Sequence, residues 1–162
     1  MACPGVAGRS YGDLMQIRLP DPVPEYARLL PSDPSAPAGL VFVAAPAVGD
    51  GWSAVQAELT EAFELTRSAV QEDTPVLYVV DNAALLGQTG PGNAMVATGL
   101  LSAARTAAVE GAKRGATCNV LAVGSDSDPG DVALWVDHLM SSTAVNGEVV
   151  RLGSGHLGKA LP

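Results

Sequence analysis

The stretch Thr74-Pro-Val-Leu-Tyr-Val-Val-Asp-Asn82 leads through Gly87-Gln-Thr-Gly-Pro-Gly92 into a long Ala-rich segment ending at Glu110-Gly-Ala-Lys-Arg-Gly115, and this passage decides the fold. Its first part is a short apolar run without alternation, the pattern of a strand covered on both faces. The Gly-rich turn hands it to a predicted helix over 92–113. A second strand, Ala116-Thr-Cys-Asn-Val-Leu-Ala-Val-Gly124, follows at once. Working outward, Leu40-Val-Phe-Val-Ala-Ala45 is another continuous apolar run. From Trp52 to about Gln71 the residues Val55, Leu59, Phe63 and Val70 recur mainly on one helical face, with Glu58, Glu61, Glu64 and Arg67 elsewhere. A helix over 130–141 and a strand over 148–152 complete the series. Strands alternating with helices of this length imply βαβ units and a parallel sheet.

The 162 residues suit one globular domain, and 48% hydrophobic residues suffice for a core. Aromatics are scarce (two Trp, three Tyr, two Phe), so Ala, Val and Leu must build that core. Such a core buries less area per residue, which makes association a natural source of further stability. A net charge of −8 with only nine Lys and Arg argues against a nucleic-acid or anionic-membrane surface. Cys3 and Cys118 form no metal or redox spacing, and Cys118 falls in a predicted buried strand where a small apolar thiol is usual. No signal-peptide pattern and no membrane-length apolar run is visible, so a cytoplasmic location is expected.

Residues 1–38 are a Pro/Gly-rich arm, with prolines at Pro4, Pro20, Pro22, Pro24, Pro31, Pro34 and Pro37. Proline removes backbone donors and interrupts both helix and ladder, so irregular chain is expected there. Leu14–Leu19 can be extended, and Pro24–Leu30 can form a helical turn or two. The α/β domain then occupies 39–162.

In order, spacing and residue types, residues 39–155 resemble the C-terminal half of a short-chain dehydrogenase/reductase. Trp52, Glu58-Leu59 and Phe63 follow that family's Trp…Asn-Leu…Phe helix pattern, with Glu58 in place of its Asn. The final stretch Asn146-Gly-Glu-Val-Val-Arg-Leu-Gly-Ser-Gly155 is similar to the family's Thr-Gly-x-x-x-x-Val-Asp-Gly-Gly. The resemblance implies a truncated Rossmann-like three-layer sandwich on a parallel sheet of about four strands. It also places residues without the family's chemistry at the family's catalytic positions. Asn82 (or Asp81) falls at the Ser position, Asn93 at the Tyr and Ala97 at the Lys. A Tyr hydroxyl that protonates a carbonyl, with a Lys that lowers its pKa, has no counterpart here. The Gly-rich turn of the first βαβ unit, which would seat a pyrophosphate on a helix N-terminus, is missing from the 38 preceding residues. Only Ser125-Asp-Ser-Asp-Pro-Gly130 stands where the substrate lid would be.

Other constellations are weaker. The turn 87–92 lacks the Lys-Ser/Thr of a phosphate loop and reads as an ordinary strand-to-helix turn. Residues 124–130 lack the alternation of a calcium loop, and Asp128 before Pro129 reads as a helix cap. His138 is expected on the surface. The predicted helix 92–113 is apolar around nearly its whole circumference, with Ala94, Ala97, Thr98, Leu101, Ala104 and Ala108 permitting close packing. The resemblance implies that this helix and the one before it form a four-helix bundle across a two-fold axis. The expected interface thus comprises Phe63, Ala94, Ala97, Thr98, Leu101, Ala104, Arg105 and Ala108, with His156 or Lys159 of the tail as a further contact.

These readings lead to a non-catalytic subunit that pairs with a catalytic short-chain dehydrogenase paralogue as a heterodimer or heterotetramer. NAD(P) is expected on that partner and no cofactor on this chain. Heteromeric family members acting on β-hydroxyacyl or β-ketoacyl thioesters supply the analogy for a substrate. The alternative is a self-associating small-molecule binding or scaffold protein using a cleft near Asn82, Gln88 and Asn93. A third reading is a repurposed isomerase built on Asp81 or Glu58.

Overall fold

The computed structural model describes residues 15–30, 38–48 and 51–154. Five strands form one parallel sheet: β1 (Met15–Arg18), β2 (Gly39–Val43), β3 (Val76–Asp81), β4 (Cys118–Val123) and β5 (Val149–Leu152). Their spatial order is their chain order. The helices are α1 (Trp52–Gln71), the single turn α2 (Asn82–Leu85), α3 (Pro91–Gly111) and α4 (Pro129–Ser141), with a 3-10 turn at Glu25–Leu29. The expected α/β sandwich is therefore present, but its sheet has five strands rather than about four. The additional strand is the extended piece of the Pro-rich arm. Its prolines lie outside the ladder, so nothing prevents Met15–Arg18 from pairing with β2 and covering an edge that would otherwise be bare.

The central strands β2, β3 and β4 are buried almost throughout, which explains their lack of alternation. Alternate residues face two separate cores. Leu40, Phe42, Val76, Tyr78, Val80, Cys118 and Val120 pack against α1 and α3. Val41, Val43, Leu77, Val79, Leu121 and Val123 pack against α4 and the 3-10 turn. Every connection steps the same way across the sheet, yet α4 covers the face opposite α1 and α3. The β4–α4–β5 crossover consequently has the opposite hand from the two before it, a departure from a strong rule of parallel sheets.

Helix ends and turns follow local chemistry. Asp128 caps α4 as expected, its Oδ1 accepting from the N–H groups of Gly130 (2.8 Å) and Asp131 (3.2 Å), with Pro129 in the first turn. Before β5, Asn146 accepts from the Cys118 N–H (2.9 Å) and donates to the Ala108 carbonyl (3.1 Å), tying α3, β4 and the turn at Gly147 together. Gly147 holds a left-handed φ of 79°, which suits glycine. Replacing Asn146 by Ala strands a part-buried donor and acceptor, and urea unfolding should register a loss of about 2 kcal/mol.

Cys118 is 1% exposed in β4, and burial pushes its thiol pKa up to about 12. Tyr26 is also raised to about 12, by burial first and then by the Asp81 charge. Both groups are neutral in the fold at pH 7. For groups with folded-state values above their unfolded ones, stability is complete below the unfolded pKa and lost as pH rises through the folded pKa. Unfolding curves should accordingly shift to lower denaturant between about pH 9 and 12, and Cys118→Ala should delay the onset of that shift. An onset unchanged by the substitution would contradict this assignment.

Candidate functional site

The four positions that the sequence aligns with catalytic residues lie on α1, α2 and α3, and three of them are committed to the fold. Glu58 on α1 is 7% exposed. Its carboxylate accepts from both terminal nitrogens of Arg18 (2.9 and 2.6 Å) and from the Ala45 N–H (2.8 Å). Arg18 also donates to the Val43 carbonyl and to Glu61, and its guanidinium lies 4.5 Å from the Phe42 ring centroid. Burial opposes the Arg18 charge, but the hydrogen bonds with Glu61 and then Glu58 outweigh it, and the pKa is raised. Glu58 thereby fastens β1 to α1 and to the end of β2, with its oxygens taken by internal partners.

Asn93, at the Tyr position, accepts from the Val48 N–H (2.8 Å) and so anchors the loop after β2 to the first turn of α3. Ala97, at the Lys position, is 2% exposed within the core. Asn82, at the Ser position, opens α2 and is 4% exposed, and its Oδ1 is buried with no hydrogen-bond partner. Asp81 caps α2, accepting from the Ala83 N–H (2.9 Å). Of the amides assigned to a cleft, Asn93 serves the loop, Asn82 is enclosed and Gln88 is exposed.

The change of face between α3 and α4 opens a crevice at the carboxyl ends of β3 and β4, the location where open parallel sheets bind ligands. A cavity of about 300 Å³ lies there, lined by Asp81, Val123, Gly124, Ser125 and Ser127, with Ala44 and Pro46 from the loop after β2. Pro24, Glu25 and Tyr26 of the arm close its other side. No Lys or Arg is among the described lining residues, and two carboxylates are. The segment following β1 is Leu19-Pro-Asp-Pro-Val-Pro24, whose prolines offer no N–H, in place of a Gly-rich turn. These residues do not fit a pyrophosphate. No local sequence signal marks this cavity, because Tyr26 and Asp81 are far apart in the chain and only the arm's return to the sheet brings both to its wall.

A second concavity, about 780 Å³, runs between α1 and α3. Leu59, Phe63, Val70, Ala103 and Ala107 line it, Arg67, Glu110 and Arg114 sit toward one end, and Tyr78 lies among its walls. The Tyr78 hydroxyl shares a hydrogen bond with Thr66 Oγ1 at 2.5 Å. Here the helix readings need correction. The stripe of α1 facing the core is Val55, Glu58, Ala62, Thr66 and Ala69; Leu59 and Val70 are half-buried at its edge and pack against the same core, and Phe63 alone of the apolar set is exposed. On α3, Ala97, Ala104 and Ala108 pack onto the chain's own sheet, because small side chains bring the helix close to the strands. They are not surface contacts, and α3 does present a mixed outer face. Thr98 and Arg105 are exposed, Ala94 and Leu101 half-buried, and Met95, Phe63 and Val109 are exposed by 47%, 64% and 77%. His156 and Lys159 lie outside the described residues. His138 is exposed, as expected.

No protein-family model and no curated protein matches the chain. Among solved structures, the chain is similar to the crystal structure of a short chain dehydrogenase from Mycobacterium smegmatis. The TM-score is 0.55 at 19% identity, and the match covers 72% of this chain and 59% of that one. The fold is therefore Rossmann-like, similar to that of this dehydrogenase, and the chain spans little more than half of that structure's length. No helix among the described residues is long and apolar enough to cross a membrane, and no His/Cys/Asp/Glu group among them could hold a metal ion.

Proposed function

We propose that this chain is a non-catalytic subunit that pairs through α1 and α3 with a catalytic short-chain dehydrogenase paralogue. NAD(P) and the reacting carbonyl belong to the partner, and by analogy alone the substrate is a β-hydroxyacyl or β-ketoacyl thioester. The observation that carries the reading is the exposed Phe63 at the apolar groove between α1 and α3, whose walls include the half-buried Leu59, Val70 and Ala103. An exposed aromatic beside an open apolar concavity suits an association surface. Support also comes from the acid/base positions. Glu58, Asn93 and Ala97 serve structure, the arm's turn closes the crevice, and the positions aligned with the Tyr–Lys pair carry Asn93 and Ala97. The same facts weaken the isomerase reading for Glu58, whose oxygens are occupied.

Co-expression with a full-length short-chain dehydrogenase from the neighbouring genes, followed by size-exclusion chromatography, tests this. One complex containing both chains, with activity that declines when this chain is withheld, is the expected outcome. Separate elution of a stable homodimer and an independently active dehydrogenase would favour the self-associating alternative and remove the proposal.

A further inference from the structure

The outer face of α3 has a pattern that reads alike in both directions. Counting from the exposed Ser102, Met95 and Val109 stand seven residues before and after it, and Thr98 and Thr106 stand four before and after. Gly99 and Arg105 occupy the positions three away. At this spacing all of them share one stripe along the helix. Met95 is exposed by 47% and Val109 by 77%, so the stripe carries a bare apolar side chain at each end. Its threonines make little demand on water. Thr98 Oγ1 donates to the Ala94 carbonyl at 2.7 Å and Thr106 Oγ1 to the Ser102 carbonyl at 3.1 Å, which satisfies both donors within the helix. At Gly99 a Cβ would meet Leu59 at 3.1 Å, so α3 itself presents only backbone there.

Two helices that cross antiparallel about a two-fold axis set each residue before the centre against the one equally far after it. With Ser102 on the axis, Met95 meets Val109 of a second copy and Thr98 meets Thr106, while Arg105 lies over Gly99 and Leu59. The two arginines stand about 9 Å apart along the axis and do not oppose each other. A small residue at the centre lets the backbones approach. We infer that α3 pairs antiparallel with α3 of a second copy of this chain, centred on Ser102, and that this self-pairing occupies the face until a catalytic partner replaces it. The exchange rests on the pairing proposed above; the self-pairing does not. A single helix pair about 21 Å long is less than a standard interface, so a partner that also engages Phe63 and the groove displaces it.

Cysteine cross-linking of the full chain tests this in a Cys3→Ser background, where the remaining Cys118 is buried. Under copper–phenanthroline oxidation, Ser102→Cys should give a disulfide-linked dimer on a non-reducing gel, because its two copies meet at the axis. Thr98→Cys alone should stay monomeric, its copies being about 12 Å apart along the axis. Thr98→Cys mixed with Thr106→Cys should link. Excess full-length catalytic partner should lower the Ser102→Cys dimer about 10-fold. No link at Ser102, or equal links at Ser102 and at Thr98 alone, overturns the seam, and co-elution with the partner then judges the pairing separately. A Ser102 link that a co-eluting partner leaves unchanged overturns the exchange. A Ser102 link with no co-elution removes the pairing and the exchange while the seam stands.

Discussion

Arg18→Met should destabilise the protein more than any other single exchange at an ion pair. Removing the guanidinium leaves Glu58 at 7% exposure with one backbone N–H from Ala45 as its remaining partner. Breaking a buried pair from one side costs about 3–5 kcal/mol, because a desolvated charge is left uncompensated. Arg18 retains some exposure, with 15% of its side-chain surface accessible, so the lower end of that range applies. The exposed contact with Glu61, itself 47% accessible, adds little. A second consequence is local. Arg18 ends β1 and holds it to α1, so its loss should free the arm's strand and uncover β2, whose five residues are buried. Urea unfolding should show a loss of about 3 kcal/mol, and hydrogen exchange should accelerate first in β1 and the outer side of β2. A paired Arg18→Met/Glu58→Leu change should recover much of the loss, because a well-packed apolar pair replaces a buried ion pair at little cost. A single-variant effect below about 0.5 kcal/mol would mean that the clamp does not hold the arm.

Phe63→Asp is expected to have the largest effect on assembly. Phe63 is 64% exposed, so the isolated chain should keep its fold and its unfolding midpoint. In the proposed complex, the same side chain is the aromatic anchor beside the groove on α3. Aromatic anchors at the centre of an interface contribute 2 kcal/mol or more, and a carboxylate in that place adds desolvation, so affinity should fall by roughly 100-fold or more. Ala103→Glu, on the facing wall of the groove, should act likewise. Leu134→Asp, equally exposed on α4 across the sheet, should leave the pairwise complex intact. Analytical ultracentrifugation of mixtures with the catalytic partner reads all three. A complex that survives Phe63→Asp would place the partner on another surface.

The strands and long helices were legible because their signals are local. Continuous apolar runs mark β2, β3 and β4, and Asp128-Pro129 marks the start of α4. What the sequence concealed depended on three-dimensional return. Met15–Arg18 is a four-residue strand in a Pro-rich setting, recognisable as extended but not as a sheet member until its pairing with β2 is known. On α1, a charged Glu58 occupies the inner stripe and an aromatic Phe63 the outer one, opposite to what hydrophobicity alone assigns. The inversion follows from Arg18, which makes the buried carboxylate tolerable and comes from forty positions earlier. On α3, small residues read equally well as an interface or as close packing on a sheet. The structure assigns Ala97, Ala104 and Ala108 to the second. The crevice was invisible because its wall comes from the arm, from the end of β3 and from the loop after β4.

Strand order matching chain order bears on how the protein is made. A doubly wound sheet begins at its middle and must later return to the opposite side, so its early segments wait for distant ones. In this chain each ladder closes as soon as the next strand arrives, and the widest gap between paired residues is that from Val76 to Cys118. Loops of that length close at modest entropic cost, and their cost grows only slowly with length. The polypeptide can therefore add one strand after another as it leaves the ribosome, ending with β5. Progressive closure of this kind should let the chain reach its shape on its own, before any association takes place.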